Sequence, residues 1–488
     1  MRPYKLLGTI RRSLRAPALP ILPTLPALPT VPTLLALLAS VALATLAHAS
    51  TPPGFLDETL PNGLRVTILP DSANPVVATH LWYHIGSANE PAGQRGIAHL
   101  FEHMMFHGTA SHGADELDLV HQRYGGRNNA CTSWDETYYV SEIDPAGHDE
   151  VLAIEADRML GLAFGQEDLD RERKIVTEEL RGSTRDDPMT RVMESGRRAI
   201  LGDHPYALSP TGLEEDLRSL TVAGMRSFYE RYYRPRNAHL VIVGPVDGAR
   251  TFDDVVRLFG SIPAAGETPA DPPDLMAWTL QPQVDITENV PPANLAVLAY
   301  LLPPVTSPDY WAIEILRMML VAGQVDPFKE DLVTRRGRAV DAATVVQQVR
   351  RGGAIFFGSA ALPYVSKDDQ FRHLEESVRE LGRMEWLTPA SFDAALRKRL
   401  RSDDESVYFA EARAKIIARM GWWFGDPALA FDRREKFRRV TYDQVADVFR
   451  RYVLDATAVR IYVRPEHVPW YVKTFGRLYP VARRWGIL

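Results

Sequence analysis

The pentapeptide His99-Leu100-Phe101-Glu102-His103 constrains this chain more than any other stretch, because its three polar residues share one face only if the segment is helical. Residues four apart on an α-helix lie one above the other, so His99 and His103 can aim ring nitrogens at one cation about 2.0–2.1 Å away. Glu102 falls on the adjoining edge. A carboxylate there can take a proton from water whose pKa a bound cation lowers to about 7, and hand it to a departing group, so it reads as a base and not a ligand. The flanks are helical in pattern: Gly96 opens the segment, Ile97, Leu100, Phe101, Met104 and Met105 supply an apolar side, and Gly108 closes it. Taken alone, two histidines on an apolar helix are equally compatible with satisfied core residues. A catalytic zinc keeps three protein ligands and one open position, so a third donor must come from elsewhere. The charged stretch 169–180, helical in composition, holds several candidates.

His99 to His103 follow the inverted-zincin order, His-x-x-Glu-His. With Gly125-Gly126-Arg127-Asn128-Asn129-Ala130-Cys131-Thr132 and the later Thr137-Tyr138-Tyr139, the chain resembles the insulinase/pitrilysin family, which includes mitochondrial processing peptidase. The resemblance covers nearly the whole mature chain. It implies one Zn2+ per chain, held by His99, His103 and Glu179, the last standing 76 positions after His103. It implies that Glu172, seven positions before Glu179, supports the site. Glu178 would point about 100° away around the helix and is the second candidate. Asn129 is expected to hold the backbone of an extended peptide, and Tyr139 to lie near the reacting carbonyl. The plainer readings are a turn at Gly125-Gly126 and an ordinary half-buried strand at Thr137-Tyr138-Tyr139. His84, His107, His112 and His121 have no partner spacing of comparable quality and read as structural or exposed.

At 488 residues the chain is too long for one ordinary core. Asn62-Gly63 precedes strands over 64–69 and 76–85, and charged helices lead to a strand over 239–244. A Pro- and Ala-rich stretch follows, and from about Trp278 the order recurs, with strands near 284–286, 295–301 and 354–361 and helices over 309–321 and 371–383. The expected class is α+β, two homologous α/β-sandwich domains, each an antiparallel-rich sheet packed with helices. Expected boundaries are a signal peptide over 1–49, a zinc-bearing domain over 50–262, a linker over 263–277 and a second, zinc-free domain over 278–488 with a tail.

No inverted-zincin motif recurs in the second half. In the family that half usually supplies an arginine and a tyrosine to hold substrate, yet the stretch Arg335-Arg336-Gly337-Arg338-Ala339-Val340-Asp341 has no tyrosine. The expectation is therefore a zinc endopeptidase cutting peptides or unfolded segments, as the zinc-bearing subunit of a homo- or heterodimer whose partner supplies that pair. The alternatives are a non-catalytic scaffold subunit and a zinc carrier, for which Glu102 has no use.

A net charge of −6 gives no reason to expect nucleic acid, and the single cysteine, Cys131, excludes an internal disulfide. The N-terminus carries Arg2, Lys5, Arg11, Arg12 and Arg15, then prolines, then an apolar run over 34–47 ending at Ala47-His48-Ala49. This reads as a secretory signal cleaved near Ser50, with a periplasmic destination. An uncleaved membrane anchor and a mitochondrial presequence are the competing readings. Trp422-Trp423-Phe424 reads as core, and the basic, aromatic tail from Trp470 to Leu488 as packed on its own domain.

Overall fold

The computed structural model describes residues 51–472 and 474, apart from 187, 322–325, 384–385 and 407. The expected leader, its cleavage point and most of the C-terminal tail lie outside these residues. Among the described residues no helix is long and apolar enough to cross a membrane.

Two mixed sheets, each packed with helices, organise the chain. The first contains β1 (Leu56–Thr59), β2 (Arg65–Pro70), β3 (Val77–Tyr83), β4 (Arg127–Thr132), β5 (Thr137–Ile143) and β6 (Ala238–Gly244), in the order β1-β2-β6-β3-β5-β4. The second contains β7 (Gln283–Glu288), β8 (Asn294–Leu302), β9 (Asp341–Val349), β10 (Gly352–Ala361) and β11 (Val459–Pro465), in the order β7-β11-β8-β10-β9. Leaving β1 aside, the two orders match strand for strand. In both sheets the first and last of these strands pair in parallel, β2 with β6 and β7 with β11, and the other neighbours run antiparallel. The recurrence anticipated from the sequence is thus present at the level of topology.

Strands β3 and β6 are buried at every position, which requires cover on both faces of the first sheet. Their polar side chains are paired within the core: Thr67 Oγ1 lies 2.8 Å from His239 Nε2, and Thr79 Oγ1 lies 3.1 Å from His148 Nε2. One face is covered by α1 (Ile97–Met104), α2 (Glu116–Tyr124), α3 (His148–Gly161), α4 (Gln166–Asp186) and neighbouring helices of the same half. Beyond them lies α5 (Pro188–Leu201). In the second half, α6 (Tyr310–Val321), α7 (Lys367–Leu381) and α8 (Pro389–Ser406) cover one face of the second sheet.

The remaining faces are covered reciprocally. α5 lays Val192, Ile200 and Leu201 on Val459, Ile461 and Val463 of the second sheet. α9 (Ala410–Phe424) lays Ala410, Ala414, Ile417 and Ala418 on Leu69, Ala78, Trp82 and Val243 of the first. Each fully buried aliphatic side chain at such a seam contributes about 1.5–3 kcal/mol. A Cβ on Gly421 would come within 2.8 Å of the His239 ring, so a glycine there allows the close approach of α9. Trp422 stacks on His84 at 3.8 Å between ring centroids, with the Arg350 guanidinium 4.2 Å from its ring. The packing therefore joins the two sheets, and the chain between them is held where Asp274 meets Arg351 at 2.6 Å.

Candidate metal centre

α1 begins at Gly96, whose φ of 99° only glycine adopts comfortably, and where a Cβ would meet Leu217 at 2.9 Å. Its first amides are satisfied by a carboxylate from the loop that leads into it: Glu90 accepts from Gly96 N and Ala98 N, each at 2.8 Å. A carboxylate at a helix start also meets the positive end of the helix dipole. Ile97, Ala98, Leu100, Phe101 and Met104 turn inward, Phe101 packing among Phe164, Phe228, Tyr229 and Tyr233. That fixes the roll of the helix and leaves His99, Glu102 and His103 together on its half-buried face.

α4 crosses this face with Leu169, Glu172 and Val176 buried. It brings Glu179 Oε2 to 3.8 Å from His99 Nε2 and 3.5 Å from His103 Nε2. His99, His103 and Glu179 form the cluster of metal-type donors among the described residues, all three donor atoms lying within 4.8 Å of one another. A tetrahedral ion with bonds of about 2.1 Å has ligand atoms about 3.4 Å apart, so two imidazole nitrogens and a carboxylate at these separations fit zinc. Burial, aided by the neighbouring His103, pushes the His99 ring down to about 4, which keeps it in the neutral form that ligates. Glu178 turns away to Arg181 at 2.8 Å.

Burial raises Glu102 above the ordinary carboxylate range, while Thr132, through side chain and backbone, pulls it back. The result is a stronger base than a surface glutamate. Glu102, His103, Phe106, His107, Asn128, Asn129, Arg171 and Glu172 line a single cleft. Asn129 is exposed on β4, the edge strand, with its Oδ1 accepting from Ala130 N at 2.9 Å.

Glu172 is 7% exposed, and its Oε2 lies 3.3 Å from His103 Nδ1. Its other oxygen takes a hydrogen bond from His107 Nε2 at 2.9 Å. His107, read from the sequence as structural or exposed, therefore stands beside the donor cluster. The signal that could have found it was its spacing of four from His103. Tyr139 sits in the core of the first half. It is 1% exposed, its hydroxyl donates to the Phe101 carbonyl at 3.3 Å, and the Arg158 guanidinium lies 4.6 Å from its ring. It supports α1 from beneath rather than facing the cleft, because the alternation of β5 turns it inward. In the second half, Arg336 and Arg335 reach Asp331 at 2.7 and 3.6 Å, and neither lines the cleft.

Two family models match the chain: Insulinase (Peptidase family M16) over residues 65–205 and Peptidase M16 inactive domain over 219–395. The chain belongs to the M16 peptidase family. Among M16 relatives, zinc protease PqqE of Helicobacter pylori is 24% identical over 416 residues, covering 83% of this chain and 92% of that protein. Probable zinc protease PqqL of Escherichia coli is 31% identical over 215 residues, 42% of this chain and 23% of its own length. A crystal structure of a protease from Helicobacter pylori superposes with a TM-score of 0.74 at 23% identity, covering 84% of this chain and 99% of that one. The periplasmic protease PqqL from Escherichia coli gives 0.65 at 21% identity, over 89% of this chain and 51% of that one. At these identities the structural likeness speaks for the fold.

Proposed function

We propose that this M16 chain is a zinc-dependent endopeptidase acting on peptides or unfolded polypeptide segments, with one Zn2+ per chain held by His99, His103 and Glu179. The reading is carried by the convergence of those three donor atoms, 3.5 and 3.8 Å apart across two helices, with Glu102 on the same helix face. When bound, such an ion supplies Lewis acidity toward a peptide carbonyl and toward water. Glu102 takes the proton from the attacking water and delivers it to the leaving amine. Glu172, buried against His103 Nδ1, orients that ring. Asn129 and the free edge of β4 receive an extended substrate backbone as an added strand.

Stripping the metal with a chelator is expected to abolish cleavage of an unfolded polypeptide, and Zn2+ to restore it. Cleavage at the full rate by demonstrably metal-free protein would contradict the reading. Because the stretch 335–341 offers arginines without a tyrosine, the chain acts as the zinc-bearing subunit of a dimer whose partner supplies the missing pair. Cleavage should rise with protein concentration as the dimer forms, and full turnover by an isolated monomer would refute the dimer. The relative PqqL is described as periplasmic, and the basic, apolar leader supports the same compartment here.

A further inference from the structure

The segments on either side of the donor cluster form a ladder of alternating acids and imidazoles. His99, His103 and His107 are spaced four apart on one segment, and Asp168, Glu172 and Glu179 follow one another along α4. The contacts run without a gap. Asp168 Oδ1 lies 3.4 Å from His107 Nδ1, His107 Nε2 is 2.9 Å from Glu172 Oε1, and Glu172 Oε2 is 3.3 Å from His103 Nδ1. Glu179 Oε2 then stands 3.5 Å from His103 Nε2.

We propose that His107 is a positioning residue of the metal centre: anchored by Asp168, it holds the Glu172 carboxylate so that the other oxygen of that group orients His103. The proposal rests on the zinc reading given above. Glu172 is nearly shut off from solvent, and each of its oxygens has one imidazole partner, the shorter contact being to His107. A carboxylate held at one oxygen can still rotate about its broad terminal torsion, whereas partners at both oxygens fix its plane. An imidazole whose Nδ1–H is engaged by a carboxylate presents Nε2 as a lone pair, the tautomer a metal requires. Asp168 is itself anchored, since its Oδ2 accepts from Gly165 N at 2.9 Å where α4 begins. Arg171 NH1 lies 3.8 Å from the oxygen that faces His107. His99 lacks such support: its Nδ1 is buried without a hydrogen-bond partner among the described residues. The ladder therefore acts on one of the two rings.

The test measures Zn2+ affinity by competition with a chromophoric chelator, and the visible absorption of the Co2+-loaded full chain, for wild type, His107→Leu, His107→Gln and Asp168→Asn. His107→Leu should weaken zinc binding by about 10–100-fold, the usual cost of losing a group that orients a ligand, and should alter the cobalt bands. His107→Gln keeps a side-chain N–H for Glu172 and should recover most of the loss. Asp168→Asn should show a smaller loss of the same kind. Wild-type affinity and spectrum in folded His107→Leu would overturn the proposal, as would equal losses in His107→Leu and His107→Gln. If His107→Leu does not fold, Asp168→Asn decides: a weakened site supports the role and an unchanged one overturns it. Wild-type protein that takes up neither ion contradicts the zinc reading and this proposal together. Wild-type protein that binds both, beside a His107→Leu variant that binds them equally well, contradicts only the role of His107.

Discussion

The two halves place a helix at the same point in the same strand order and use it for opposite ends. In the first half α1 stands between β3 and β4; in the second, α6 stands between β8 and β9. α1 buries one side and leaves His99, Glu102 and His103 half-buried toward α4. α6 is buried on nearly every side, from Tyr310 through Ile313, Ile315, Leu316 and Met319 to Leu320. Its one buried acid, Glu314, is paired with Arg317 one turn on, at 2.9 Å. A single topology thus yields a donor cluster where one helix face meets a second helix carrying carboxylates, and a structural core where the helix buries mainly apolar side chains and its one acid is paired. Chemistry resides in what faces the helix, not in the strand order that holds it.

The sharpest way to break this contrast is Glu102→Gln. Turnover should fall by about 10²–10⁴-fold while zinc content stays unchanged, because the base is lost and the ligands are not. Retained turnover in the folded variant would remove Glu102 from its role. The mirror experiment on the second half is Leu316→Ala, a substitution in a fully buried helix position. It should cost about 2–5 kcal/mol in denaturant unfolding and leave zinc content intact. A loss of zinc without a loss of stability would mean that α6 serves the site and not the core. The smallest effect is expected for Tyr139→Phe. Removing its hydroxyl bond to the Phe101 carbonyl should cost about 1 kcal/mol of stability, with peptide turnover close to wild type. A collapse of turnover would return Tyr139 to the reacting carbonyl, against its buried placement.

Much of the scaffold was legible before any coordinates. The spacing of His99 and His103 predicts a helix between Gly96 and Gly108, found over Ile97–Met104, and the apolar runs predict strands over 64–69, 76–85 and 239–244, found as Arg65–Pro70, Val77–Tyr83 and Ala238–Gly244. The repeat of strand order is visible from about Trp278 onward for the same reason, as alternation and turn residues are local signals. The reciprocal cover by α5 and α9 was not legible. An apolar stripe states that a helix needs a partner and does not say which sheet provides it. His107 was missed because its partners, Asp168 and Glu172, are brought to it only by the crossing of α4. The buried placement of Tyr139 beneath Phe101 is not legible either, because strand alternation separates two faces without saying which looks into the cleft. Glu179, by contrast, was expected through family resemblance, and it lies with both imidazoles while Glu178 turns to solvent and Arg181.

Anomalous diffraction at the zinc absorption edge, from crystals of the zinc-loaded protein, tests the central claim most directly. One strong peak per chain is expected among His99 Nε2, His103 Nε2 and the Glu179 carboxylate. No peak there, or zinc bound at other residues with this cluster empty, would contradict the account.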